Sequence, residues 1–117
     1  MKYAELPGIE KELSAIYLGT GSYGSAISPS DSFRLLDRFA ELGGTFLDTA
    51  HVYGAWDASG YNGGYGNSEK VLGEWLQKTG MQHKIAVGTK GAHPDLDTGV
   101  CRMNRKDISV HISESLQ

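Results

Sequence analysis

Two short apolar runs in this chain of 117 residues each stop on a polar side chain that can carry chemistry. Thr45-Phe46-Leu47 stops on Asp48, inside the stretch Gly44 to Gly54, GTFLDTAHVYG. Ile85 to Lys90, IAVGTK, stops on Lys90. Tyr53 follows Asp48 by five positions, in a glycine-rich loop. A carboxylate, a phenol and an ammonium at strand ends make a candidate proton-transfer site. A free tyrosine, with a pKa near ~10, is too weak an acid for efficient donation at neutral pH. A nearby ammonium favours the phenolate, and a carboxylate paired with that ammonium fixes its position. Spacing alone leaves a plainer alternative open, in which Asp48 caps a turn, Tyr53 packs and Lys90 is solvated.

The elements that must position these groups read as alternating strands and helices. Pro7-Gly8 predicts a tight turn inside a β-hairpin over residues 1–14. Ala15-Ile16-Tyr17-Leu18 predicts a buried strand ended by glycines. Ser30 or Asp31 is the expected cap of a helix to about Leu42, with Phe33, Leu36, Phe39 and Ala40 on one face and Gly43-Gly44 as its stop. A second helix is expected from Asn67-Ser68, bearing Val71, Leu72, Trp75 and Leu76, with Gly80 closing it. Ile85 to Val87 predicts a third strand. Asn104, with Asp107 three residues on, opens a third helix bearing Ile108, Ile112 and Leu116. Three such alternations over residues 15–117 predict parallel βα units, not a sandwich or bundle. The third helix has no stop signal, and its apolar face asks for a fourth strand. The expectation is therefore the front part of a longer protein, with an open sheet edge available for self-association.

Other motifs compete for attention. Gly19-Thr20-Gly21-Ser22-Tyr23-Gly24 fits G-x-G-x-x-G after a strand, and Asp48 ends the next strand, as in a dinucleotide-binding Rossmann unit. That reading needs a helix starting at Gly24, facing a pyrophosphate. Asp95-Leu96-Asp97-Thr98-Gly99 starts like a calcium loop but fails, with Val100 where glycine belongs and Lys106 where the bidentate acid belongs. His51, His83, His93 and His111 show no ligand spacing, so no metal is expected. Trp56, Tyr61 and Tyr65 line a substrate or simply pack a long loop. Cys101 has no recognisable base partner.

Composition narrows the class. Hydrophobic residues at 39% and charged residues at 21% describe an ordinary globular domain. A net charge of −3 gives no electrostatic reason to expect nucleic acid or an anionic membrane as partner. The single cysteine excludes an internal disulfide, and the N-terminus lacks the apolar core of a signal peptide. No apolar run reaches the ~18 residues of a membrane span. A cytoplasmic location is the expectation.

Taken together, LGTGSYG, FLDTAHVYG, NSEKVLGEWL and VGTKGAHP resemble, in order and spacing, the opening of an aldo-keto reductase, from about residue 3 onward. The resemblance implies the first three βα units of a (β/α)8 TIM barrel, an α/β fold, preceded by an N-terminal hairpin and incomplete in this chain. It implies NADP(H) as cofactor and an aldehyde or ketone as small-molecule substrate. By the same resemblance Tyr53 is the proton donor, Lys90 tunes it and Asp48 holds Lys90. Gly19, Thr20, Gly21 and Asp48 fall where the family meets its cofactor. The family's fourth catalytic member, a histidine after the fourth strand, lies outside the part that resembles this chain. Two rivals remain at this point: a non-catalytic, self-associating fragment of such a barrel, and the Rossmann-type module.

Overall fold

The computed structural model describes residues 1–57, 60–61 and 64–117; the side chains of residues 57, 60 and 61 are outside that description. A hairpin pairs β1 (Tyr3–Ala4) with β2 (Leu13–Ser14). Its Pro7-Gly8 turn closes through Ile9 N–H donating to the Leu6 carbonyl at 3.0 Å. Three strands, β3 (Leu18–Gly19), β4 (Phe46–Asp48) and β7 (Ala86–Gly88), then form a parallel sheet in the order β3-β4-β7. Between β4 and the next helix lies a two-stranded ribbon, β5 (Trp56–Asp57) with β6 (Gly60–Tyr61), which the sequence pattern does not announce.

Two helices cover one face of this sheet. α1 (Pro29–Glu41) begins two or three residues earlier than expected. Ser28, not Ser30 or Asp31, is its cap, and the Ser28 hydroxyl accepts from Asp31 N–H at 3.1 Å. Pro29 explains the shift: at the first helical position its missing N–H costs nothing and its fixed φ suits the helix. The helix stops at Gly43-Gly44, where Gly44 N–H reaches back to the Phe39 carbonyl and Gly43 N–H to that of Ala40. α2 (Asn67–Thr79) packs beside α1. Leu36, Leu47, Val71, Leu72, Trp75 and Ile85 form the core between helices and sheet, with Phe33, Phe39, Ala40 and Leu76 at its margin. Each such aliphatic side chain contributes roughly 1.5–3 kcal/mol by leaving water.

Two expectations fail, for related reasons. Ala15, Ile16 and Tyr17 are exposed, and the strand is Leu18–Gly19 only. α3 (Arg105–Ser115) turns Ile108 and Ile112 outward, Leu116 at its C-terminal cap is exposed too, and its buried residue is His111. A strand or helix buries an apolar face only against a second layer. Among the described residues no element covers the sheet face opposite α1 and α2, or lies beyond β7. Leu47 is fully buried under the helices, while Phe46 and Asp48, its neighbours in the two-residue alternation, point to that open face.

Candidate active site

Strand register brings the chemistry to one level. Gly19 is paired with Asp48 and Asp48 with Gly88, so the carboxyl ends of all three strands stop at the same height. Backbone bonds continue that alignment past the strands: Thr20 N–H donates to the Asp48 carbonyl, Thr49 N–H to that of Gly88, and His51 N–H to that of Lys90. The turn from Thr49 to Gly54 then folds back, with Gly54 N–H on the Gly21 carbonyl at 3.2 Å and Ser68 N–H on the Tyr53 carbonyl at 3.2 Å. Gly54 is required there. Its φ is +82°, and a Cβ would stand 2.6 Å from the Asn67 Cβ.

On this frame Asp48, Tyr53 and Lys90 meet. Lys90 Nζ donates to Asp48 Oδ1 at 2.8 Å and to the Thr49 carbonyl at 2.6 Å. The same ammonium lies 4.8 Å from the centre of the Tyr53 ring. Partial burial pulls the Lys90 pKa down. The hydrogen bond and charge of Asp48 outweigh it, with a smaller contribution from Tyr53, and leave the amine above its ordinary value. The sign follows: a raised folded-state value makes the pair's stabilisation complete at neutral pH, lost only as pH rises past the ordinary lysine value. With about half of Lys90 exposed, the pair serves geometry more than stability.

Three small hydroxyls beneath this trio are invisible to motif reading. Thr20, Thr49 and Ser68 are essentially fully buried. Ser68 Oγ donates to the Thr20 carbonyl at 2.8 Å and lies 2.8 Å from Thr20 Oγ1 and 3.1 Å from Thr49 Oγ1. Thr20 Oγ1 also donates to the Asp48 carbonyl at 3.0 Å. Ser68 thus ties the start of α2 to the two strand ends that flank the site. The serine beside a helix start was the available signal, but it reads first as a cap. Ser68→Ala is expected to lower stability by about 1–3 kcal/mol, the cost of leaving buried hydroxyls unsatisfied. Urea denaturation checks it; an unchanged midpoint would show the cluster to be dispensable.

The remaining candidates are placed as follows. Gly19 and Gly21 are exposed at the strand ends, and a Cβ on either would meet nothing within 4 Å. The Thr20 side chain is buried in the hydroxyl cluster. Trp56 meets the His93 ring edge-on at 6.0 Å. The Tyr65 hydroxyl accepts from Leu96 N–H and from Arg102, whose guanidinium also lies over the Tyr65 ring. The Tyr61 side chain lies outside the described residues. Asp95 closes a local turn on Thr98 N–H and Oγ1, which with Arg102 holds its carboxyl below the usual range. Cys101 is exposed with no disulfide, and no group of three metal-ligating side chains occurs among the described residues. The glycine motif does not open a helix. Residues 20–27 close on themselves through Tyr23 N–H to Thr20 and Gly24 N–H to Ile27, and α1 starts only at Pro29. The Rossmann reading is thereby overturned. No helix among the described residues is long and apolar enough to cross a membrane.

The family model described as aldo/keto reductase family matches residues 15–117. An aryl-alcohol dehydrogenase of Pestalotiopsis microspora is 29% identical over 124 residues, spanning 95% of this chain and 30% of that protein. An aryl-alcohol dehydrogenase [NADP(+)] of Phanerodontia chrysosporium is 36% identical over 92 residues, spanning 72% of this chain and 21% of that protein. Among solved structures, an aldo-keto reductase from Bacillus halodurans in its holo form superposes on 99% of this chain with a TM-score of 0.71 and 24% identity. The match covers 35% of that chain, so the three parallel βα units correspond to part of a barrel and do not close one. The chain spans about a third or less of the length of each of these proteins.

Proposed function

The chain belongs to the aldo/keto reductase family, and on that premise we propose that it carries the proton-donating part of a carbonyl reductase site that works with NADP(H). The observation that carries the proposal is the Lys90 ammonium, held 2.8 Å from Asp48 Oδ1 and 4.8 Å from the Tyr53 ring. A reduced nicotinamide, when bound, supplies the hydride that converts a carbonyl carbon to an alcohol carbon. The exposed Gly19 and Gly21 backbone leaves open space beside the strand-end Asp48, where a flat ring has room.

The chain's own residues manage the proton. Tyr53 Oη gives its proton to the carbonyl oxygen as negative charge builds there, and the phenol is restored from solvent. Lys90 stabilises the charge that passes to the phenol oxygen. Asp48, with the Thr49 carbonyl, keeps the ammonium from swinging into water. The Thr20–Thr49–Ser68 cluster holds the backbone that carries both. The names of the two aryl-alcohol dehydrogenases support an aromatic aldehyde as substrate and, for one of them, NADP(H) as cofactor. A reducing cytoplasm is the proposed setting, in keeping with the free Cys101.

The test is aldehyde-dependent oxidation of NADPH by the protein that carries this chain, read from nicotinamide absorbance with an aromatic aldehyde as probe. Turnover is expected; no oxidation of NADPH or NADH at saturating aldehyde would overturn the proposal. The 117 residues by themselves are expected to hold cofactor weakly, since their sheet is open on one face. Tight NADPH binding in a fluorescence titration of that chain would contradict this. One observation favours a second reading, a non-catalytic self-associating fragment: Val87 on the edge strand β7, Val110 and Ile112 on α3 and Leu116 just past it are all exposed. Light scattering from a stable monomer would dismiss it.

A further inference from the structure

The buried side chain of α3 is His111, and it and Glu114 of the same helix both meet His51. The His111 ring stacks on His51, centroids 4.4 Å apart and planes 10° from parallel, and Tyr65 stacks on His51 at 5.4 Å. Gly91 permits the approach, because a Cβ there would lie 3.2 Å from the His111 Cβ.

Hydrogen bonds define the protons of the pair. Ala92 N–H donates to His111 Nδ1 at 2.9 Å, so that nitrogen carries a lone pair and the ring is neutral. Glu114 Oε2 lies 2.7 Å from His51 Nε2, and a carboxylate only accepts, so Nε2 carries the proton. His51 Nδ1 is buried and has no hydrogen-bond partner among the described residues. His51 N–H in turn donates to the Lys90 carbonyl at 2.9 Å, so the pair is wired to the turn that carries Tyr53.

We propose that His111 is a positioning residue: neutral, it clamps the Asp48-to-Tyr53 turn to α3 through His51, and on taking up a proton it lets go. A proton on Nδ1 would face the Ala92 N–H, donor against donor. It would also place positive charge against His51 and near Arg102. Burial, then His51 and Arg102, hold His111 below the ordinary histidine value, while Glu114 and Asp107 pull weakly the other way. The other charged groups nearby, Glu69, Lys70 and Glu74 of α2, line the groove that His51 and Glu114 share.

The sign follows from the lowered value. Released α3 binds a proton at about pH 6.5, docked α3 only at lower pH, so docking is complete above that value and weakens as pH falls below it. The proposal uses the reductase reading only in naming Tyr53 as the group positioned.

The test is amide hydrogen exchange of residues 105–115 and 51–54 in the 117-residue chain at about pH 8 and about pH 5. After correction for intrinsic rates, opening of α3 is expected to rise up to about tenfold per pH unit across the window. His111→Asn, whose amide oxygen can replace Nδ1 as acceptor but cannot titrate, is expected to remove that dependence. Equal protection at both pH values in the wild type, or the same dependence in His111→Asn, would overturn the proposal. If that variant does not fold, nitrogen NMR of wild-type His111 decides: an unprotonated Nδ1 at about pH 8 supports it, an Nδ1–H overturns it. These readouts need no catalysis, so they fail or succeed independently of the carbonyl reductase assay.

Discussion

Tyr53→Phe is expected to lower carbonyl reduction by about 10²- to 10⁴-fold, the usual worth of a positioned general acid. Phenylalanine keeps the ring that lies 4.8 Å from Lys90 Nζ and loses only the hydroxyl. The backbone of residue 53, bonded through its N–H to Ala50 and its carbonyl to Ser68, is untouched by the change. Cofactor affinity should therefore hold while the rate falls, a pattern that marks an interaction made in the transition state. Steady-state kinetics with NADPH and an aromatic aldehyde, alongside a cofactor titration, separate the two. A rate near that of the wild type would remove Tyr53 from the mechanism.

The second large effect is on the fold. Trp75 is 1% exposed, fills the layer between α2 and the sheet, and donates Nε1–H to Asp37 Oδ1 of α1 at 2.8 Å. Trp75→Ala leaves a cavity as well as a lost contact, and is expected to cost about 3–5 kcal/mol. Domains of this size have about 5–15 kcal/mol in all, so the urea midpoint should fall by about a fifth or more. Trp75→Phe, which keeps most of the packing, should cost roughly 1 kcal/mol for the hydrogen bond and the smaller ring. Equal losses for the two variants would show that the Asp37 bond, not packing, joins the helices. Because Ser68 sits at the head of the same helix, a loosened α2 should also loosen the floor under Lys90.

Residue patterns made much of this legible. Leu36, Val71, Leu72 and Trp75 recur at helical spacing because a helix must bury one face, and they are buried. Gly43 and Gly80 mark helix ends where a left-handed residue is needed. Asp48 and Lys90 end apolar runs because a parallel sheet delivers its strand ends together, and the structure brings the two side chains to 2.8 Å.

The misreadings have physical causes too. The apolar residues 15–17 look like a buried strand, but burial depends on a second layer that a local pattern does not report. Ser28 is masked by Ser30 and Asp31 because a proline ahead of a helical run looks like a barrier, when at the first helical position it is favourable. His111 carries no signal beside Ile108 and Ile112, because an isoleucine stripe outweighs a histidine in any apolar pattern. Thr20, Thr49 and Ser68 meet from three separate segments, and small hydroxyls carry no periodic signal of their own.

The central claim is that Asp48, Lys90 and Tyr53 act as one proton-delivering unit. A double-mutant cycle on kcat/KM tests it most directly, comparing wild type, Tyr53→Phe, Lys90→Met and the combined variant in the protein that carries this chain. If Lys90 works through the Tyr53 hydroxyl, removing both should cost little more than removing the hydroxyl alone, within about threefold. If instead the two losses multiply, Lys90 and Tyr53 act independently and the unit does not exist.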